Sequence, residues 1–311
     1  MPDTLSEVLR ELQFRSARYI RFEMTAPWQL QYELGGRGVH LISRGRCELF
    51  WPDEPDRTPL QLDAGDLVVV PNGARHALRS AGARSRHGIE VGTLIAQQPG
   101  CPVSWGQGGE ATTIVCGRFE LDTSVENLLL RALPNVIRIP GRLGEPAAGV
   151  QPLMQALVHE IVNFNMGSEL LIARLSDALV VHAIRHYASD PDTTGWLAAL
   201  RDERLGPLLA ELHRAPSASW TVERMAEQVG MSRAGFAARF AQELGEGPSH
   251  YLTRVRMARA SRLLQHTQLS IGEIADQVGY SGEPSFSAAF RKWVGTPPAA
   301  WRLERSQRIS A

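Results

Sequence analysis

Residues 274–301 read IADQVGYSGEPSFSAAFRKWVGTPPAAW, and residues 225–251 read MAEQVGMSRAGFAARFAQELGEGPSHY. The two stretches stay in step. At an offset of 49, Ala226 matches Ala275, Gly230 matches Gly279 and Ser232 matches Ser281. One extra residue in the second copy shifts the offset to 50, where Phe236 matches Phe286, Phe240 matches Phe290, Gly245 matches Gly295 and Pro248 matches Pro298. Each copy reads as two helices joined by a tight turn. In the first, Thr221 caps a helix, Ala226 is small where helices must touch, and Gly230 permits a left-handed exit. Ser232 then caps a second helix that buries Phe236 and Phe240, four residues apart, on one face. The second copy uses Ser270, Ala275, Gly279, Ser281, Phe286 and Phe290 in the same roles.

Between the copies, PSHYLTRVRMARASRLLQ is an amphipathic helix, with Tyr251, Val255, Ala258 and Leu263 or Leu264 inward and Arg254, Arg256, Arg259 and Arg262 outward. A solenoid of packed hairpins is the plainer alternative, but solenoids repeat three times or more. The pattern closely resembles the AraC/XylS transcriptional regulators, whose DNA-binding domain is two helix-turn-helix units joined by a linker helix. The resemblance covers roughly residues 204–303. It implies two recognition helices entering successive major-groove segments of double-stranded DNA about 34 Å apart. It places base-facing positions at Ala234, Ala237 and Ala238 in the first copy and at Glu283, Ser285, Ser287 and Ala288 in the second. Relatives often carry longer polar side chains there. Alanines touch thymine methyls, and Glu283 accepts from cytosine N4. Phosphate contacts fall to Arg233, Arg239, Arg254, Arg256, Arg291 and Lys292, with Ser232 and Ser281 as cap hydroxyls at helix N-termini.

Working outward from this region, residues 19–121 carry short alternating segments, among them YIRFEM, WQLQYEL, VHLISRGRCELF, LVVVP and TIVCGRFEL, broken by Gly, Pro and Asp. Period-two alternation of this kind predicts an antiparallel sandwich or small barrel. Residues GGRGVHLISRGRCELFW and LDAGDLVVVPNGARHAL resemble a cupin, and APWQL, ARHAL and VCGRFELD with ALPNVI resemble the cupin-type sensor of one branch of AraC-like regulators. Metal-binding cupins use an HxH, a Glu and a second-motif His. Here His40 and His76 remain while Ile42 takes the next inward position, so a divalent metal held by His40 and His76, with Cys116 or Glu90, stands beside the reading that the two imidazoles line an effector pocket. Cys116 is a candidate oxidant sensor by the resemblance and a small buried hydrophobe by its Ile114 and Val115 neighbours. Cys47 reads as core and Cys101 as an exposed loop residue.

After Pro140, PLMQALVHEIVNF and SELLIARLSDALVVHAIRHYA are helical windows. The second, with Ser168 as its expected cap, is apolar around much of its circumference, which fits either a homodimer interface or burial against the barrel. DPDTTG at 190–195 marks the boundary. The expected architecture is α+β with two domains. Residues 1–195 form an N-terminal antiparallel β cupin-like barrel with a helical hairpin, and residues 196–311 form an all-α double helix-turn-helix.

Composition agrees with a DNA-binding half. The 33 basic and 33 acidic residues cancel overall, yet residues 196–311 hold 15 Arg or Lys against 11 Asp or Glu. The N-terminus lacks a basic region and a cleavage site, and no window has a membrane span's run of apolar residues, so a cytoplasmic location without membrane contact is expected. Three cysteines without CxxC spacing argue against a disulfide framework or zinc ribbon. The function expected is sequence-specific transcriptional regulation, as an activator meeting RNA polymerase, under a small-molecule effector or an oxidant. The alternative is a metal-dependent cupin enzyme fused to a helical domain. An oxygenase needs about three protein ligands, and no nucleophile elbow, P-loop or dinucleotide fingerprint is present.

Overall fold

A computed structural model of the chain describes residues 4–11, 14–82, 88–121, 128–141 and 150–309. Its internal contacts group residues 14–121 with 133–191 in one unit, and residues 1–13 and 122–132 with 192–311 in another.

The first unit is built on two sheets. The larger has the order β11-β6-β3-β10-β1-β9 and the smaller β5-β4-β7-β2-β8. The larger contains β1 (Phe14–Thr25), β3 (Gly38–Arg44), β6 (Leu67–Val70), β9 (Val103–Gly106), β10 (Ala111–Leu121) and β11 (Ile137–Ile139). The smaller contains β2 (Gln29–Tyr32), β4 (Arg46–Phe50), β5 (Leu60–Asp63), β7 (His76–Ser80) and β8 (Ile89–Glu90). The expected barrel is thus corrected to two facing sheets that are not closed on each other, an arrangement consistent with a cupin fold. The chain passes from one sheet to the other between β3 and β4 at Gly45, whose φ of +77° suits glycine and whose absent Cβ would lie 2.4 Å from the Ala111 carbonyl oxygen.

Alternation fills the space between the sheets. Ile20, Phe22, Met24, Trp28, Leu30, Ile42, Leu49, Val68, Val70, Leu78 and Ile114 form the core there, with Cys47 and Cys116 among them. Short α2 (Val91–Gln97) follows β8. Asp66 pins β11 to this frame, accepting from the Arg138 guanidinium at 2.7 Å and from the Gly141 amide at 2.8 Å.

Helices α4 (Val150–Val162) and α5 (Ser168–Ser189) pack on each other and against β1. Ile172, Leu179, Val180, Ala183 and Ile184 of α5 are buried in a helix that packs on α4, β1 and β11, while Leu170 and Leu171 stay exposed with Phe164 and Met166. Ser168 is not the cap: Gly167 holds that position, and the Ser168 hydroxyl donates to Glu160 from the preceding helix at 2.7 Å. No described helix is long and apolar enough to cross a membrane.

The second unit contains α6 (Trp196–Ala199), α7 (Leu205–Arg214), α8 (Val222–Gln228), α9 (Arg233–Leu244), α10 (Pro248–His266), α11 (Ile271–Gln277), α12 (Glu283–Val294) and α13 (Pro298–Ile309). Two helices from the region first assigned to the β domain belong here as well: α1 (Thr4–Glu11) packs on α7 and α10, and α3 (Leu128–Ala132) on α6. Their short apolar stripes gave no sign of which core they would join.

Candidate functional sites

The duplication in sequence is a duplication in space. In the first copy, Thr221 caps α8 by accepting from the Arg224 amide, and Ser232 caps α9 by accepting from the Gly235 amide. Phe236 and Phe240 meet edge to face at 5.3 Å, and Phe240 meets Tyr251 at 5.4 Å. In the second, Phe286 and Phe290 stand 5.6 Å apart, and Phe290 meets Trp301 at 6.0 Å. Tyr251 and Trp301 are fifty residues apart, so the partner of each Phe pair is itself repeated. Pro248 and Pro298 open the helices that follow, where a missing amide hydrogen is no loss.

The copies diverge where the extra residue sits. Ser281 is exposed but does not cap α12. That helix starts at Glu283, with Gly282 in the cap position and no side-chain cap, and Ser285 donates back to the Gly282 carbonyl at 2.8 Å. Ser270 instead caps α11 through a full capping box with Glu273.

On the outward surface of α9 and α12, Ala234, Ala238, Glu283, Ser285 and Ala288 are exposed, with Ala237 and Ser287 half-buried. Arg233, Arg291 and Lys292 are exposed on the same two helices, Arg233 paired with Glu223 of α8. Arg239 is half-buried and ion-paired with Asp202. Two of the expected phosphate contacts are corrected. Arg254 is 3% exposed and paired with the Glu246 carboxylate, because its place on α10 faces the hairpin that precedes the helix. Arg256 lies half-buried and donates to the Pro216 and Ala218 carbonyls, tying α10 to the loop before α8. Helical spacing put all four α10 arginines on one expected outward face. Only Arg262 is fully exposed.

The second site is a cavity of about 520 Å³ in the β unit, lined by Ile20, Phe22, Tyr32, Arg37, Ile95 and Cys116 among others. At one wall, four side chains stand in a row. The Tyr32 hydroxyl is 3.1 Å from Cys116 Sγ, Cys116 Sγ is 3.2 Å from His40 Nδ1, and His40 Nε2 is 2.8 Å from His76 Nε2. His76 Nδ1 ends the row 2.7 Å from the Ala74 carbonyl oxygen. The register supplies this order, since His40 on β3 is the partner of Cys116 on β10, and Tyr32 on β2 is the partner of His76 on β7. Burial drives the His40 and His76 pKa values down and pushes the Cys116 thiol up to about 12.

This arrangement does not fit a metal. Two imidazole nitrogens bound tetrahedrally at about 2.0–2.1 Å would stand roughly 3.3 Å apart, whereas the two Nε2 atoms are in direct hydrogen-bond contact at 2.8 Å. Cys116 lies against the opposite nitrogen of His40, so the three groups run in series and converge on no point. Glu90 is exposed, and no group of three metal-ligating side chains occurs among the described residues. Cys47 is fully buried and Cys101 exposed, as expected. Sequence reading missed Tyr32. The alternation of Trp28, Leu30 and Tyr32 carried the signal, for it sets the phenol on the same inward face as two core residues.

A β unit of paired sheets joined to a duplicated helix-turn-helix is the layout of a regulator that carries its DNA-binding part at the C-terminal end. The cupin family model matches residues 3–189, and a helix-turn-helix domain model matches residues 225–304. A Streptomyces lividans protein named as an AraC-like transcription regulator is 32% identical over 304 residues, covering 96% of this chain and 98% of its own. The transcriptional regulator AlkR of Acinetobacter baylyi is 27% identical, covering 97% and 99%. The crystal structure of the DNA-binding domain of AdpA with a target DNA is 29% identical over 35% of this chain and 100% of that one, at a TM-score of 0.33. The chain belongs to the AraC-like transcription regulators. It is a DNA-binding regulator and not an enzyme, in line with its relatives.

Proposed function

We propose that this regulator is switched by a small molecule bound in the cavity beside Tyr32, His40 and Cys116, and that α9 and α12 read successive major-groove segments of a promoter, with RNA polymerase as the partner of an activator. The observation that carries the first part is the cavity itself. It is of the size usual for small-molecule sites, apolar along most of its wall, and bordered by the polar side chains of Tyr32, His40 and Cys116. Supporting the second part are the exposed faces of α9 and α12 and their unburied Arg291 and Lys292. Alanine-rich reading helices give few hydrogen bonds to bases, so affinity and site length come from using two helices on one duplex.

Oxidation of Cys116 is the second reading, favoured by its position on the cavity wall. Against it stands the chemistry: a buried thiol with its pKa near 12 is almost wholly protonated at neutral pH and is a poor nucleophile. A promoter reporter separates the two readings. Ile95→Trp, which fills the cavity, is expected to abolish the response to the inducing signal while DNA binding in gel shift is retained. Diamide is expected to leave the response unchanged in both the parent and Cys116→Ser. A diamide response that disappears in Cys116→Ser would install the cysteine as the sensor instead.

A further inference from the structure

The hydrogen bonds beside the cavity have only one consistent direction. The Ala74 carbonyl can only accept, so the proton of His76 sits on Nδ1 and its Nε2 is a bare acceptor. With both imidazoles kept neutral by burial, His40 donates from Nε2 to His76, which leaves His40 Nδ1 bare. That nitrogen takes the S–H of Cys116, and the Cys116 sulfur in turn takes the O–H of Tyr32. Every proton in the row is committed. What remains open is the pair of acceptor positions on the Tyr32 oxygen.

The phenol is not free to turn away from this role. Its ring lies stacked on His76 with an interplanar angle of 2° at 4.7 Å, and edge-on to His40 at 4.6 Å. A cation on the same cavity is supplied by Arg37, a half-buried lining residue. A half-buried guanidinium pairs best with an anionic oxygen, through charge-assisted hydrogen bonds. Glu33, Glu90 and Arg118 also border the cavity, but they are exposed and keep their water. Much of the remaining wall is apolar, with Ile20, Phe22 and Ile95.

We infer that the cavity takes an amphipathic organic acid carrying a hydroxyl at the end remote from its carboxylate, the hydroxyl donating to the Tyr32 oxygen and the carboxylate accepting from Arg37. This rests on the cavity being the effector site. The class follows from the lining: a ligand offering only an acceptor to Tyr32 would have to break the Tyr32–Cys116 bond and reverse the row, leaving a buried donor or acceptor unmatched at its far end.

The test is calorimetric titration of the full chain with 10-hydroxydecanoate, decanoate and 1-decanol. The hydroxy acid is expected to bind most tightly, with loss of the hydroxyl and loss of the carboxylate each weakening binding by about tenfold. Tyr32→Phe is expected to equalise 10-hydroxydecanoate and decanoate, and Arg37→Gln to equalise 10-hydroxydecanoate and 1-decanol. Equal binding of hydroxy acid and plain acid to the parent protein overturns the inference without any variant, and so does failure of the hydroxy acid to bind at millimolar concentration. The underlying reading fails differently. If Ile95→Trp leaves the promoter's natural response intact, the effector site lies elsewhere, whatever these acids do.

Discussion

Arg254 and Arg291 show how differently one residue type is used within the same unit. Arg254 is held inside, against Glu246, and removing one partner of a buried pair strands the other charge at roughly 3–5 kcal/mol. Arg254→Met is therefore expected to lower the melting temperature of the helical unit and to lose DNA binding only through unfolding. Arg291 is exposed on α12. Its replacement by Ala is expected to leave the melting temperature unchanged, to weaken binding to specific and random DNA alike, and to reduce the salt-dependence slope by about one, as read by anisotropy titration. His213 adds a pH signature. Its Nε2 shares a hydrogen bond with the Tyr251 hydroxyl, which also accepts from Trp196. Burial, with Arg254 adding to it, pushes its pKa down to about 4. The unfolded chain thus binds a proton that the folded one refuses between pH about 6.5 and about 4, so stability falls as pH drops through that window, by up to about 3 kcal/mol. His213→Gln is expected to flatten this dependence, measured by hydrogen exchange of the α10 amides at pH 7 and pH 5.

At the scale of elements, the two turns of the helix-turn-helix units look alike in sequence but tolerate change differently. Gly230 has a φ of +66° with nothing near its absent Cβ, whereas Gly279, at +81°, would set a Cβ 2.8 Å from the Ser217 Cα. Gly230→Ala is expected to cost about 1 kcal/mol from the left-handed backbone alone. Gly279→Ala is expected to cost more, about 2–3 kcal/mol, because backbone must move as well. Urea denaturation of both variants would check the order, and equal losses would mean that Ser217 yields easily. The glycines, caps and Phe pairs were legible because each acts within one turn of its own chain. The start of α12 was not. Ser281 aligns with the capping Ser232, and only the backbone path through Gly282 shows that the inserted residue displaces it from the cap.

For the molecule as a whole, the consequence of duplication lies in its spacing. Helix α10 runs 19 residues, about 28 Å, and packs against α7, α9, α11 and α13. A single helix thus joins the two helix-turn-helix copies and touches elements of both. If α9 and α12 bind one face of a duplex, inserting about 5 base pairs between their half-sites turns one site to the far side, and specific affinity is expected to fall at least 100-fold to the non-specific level. Affinity retained across that insertion, in a gel-shift series of spacers, would show that one unit alone carries recognition.

The sequence by itself determined the repeated helix-turn-helix, the alternating strands and the apolar faces that build both cores, since periodicity and capping are local properties of the chain. Only the tertiary structure decided the rest. Two sheets that do not close, and the grouping of α1 and α3 with the helices, depend on contacts between residues far apart in the chain. The row from Tyr32 to His76 depends on them most. Its four members come from four strands, and each proton in it is placed by a neighbour more than thirty residues away or by a carbonyl that can only accept. Side-chain identity named His40, His76 and Cys116 as candidates, but the physical reason they do not form a metal site is distance and direction, which strand register sets and residue type does not.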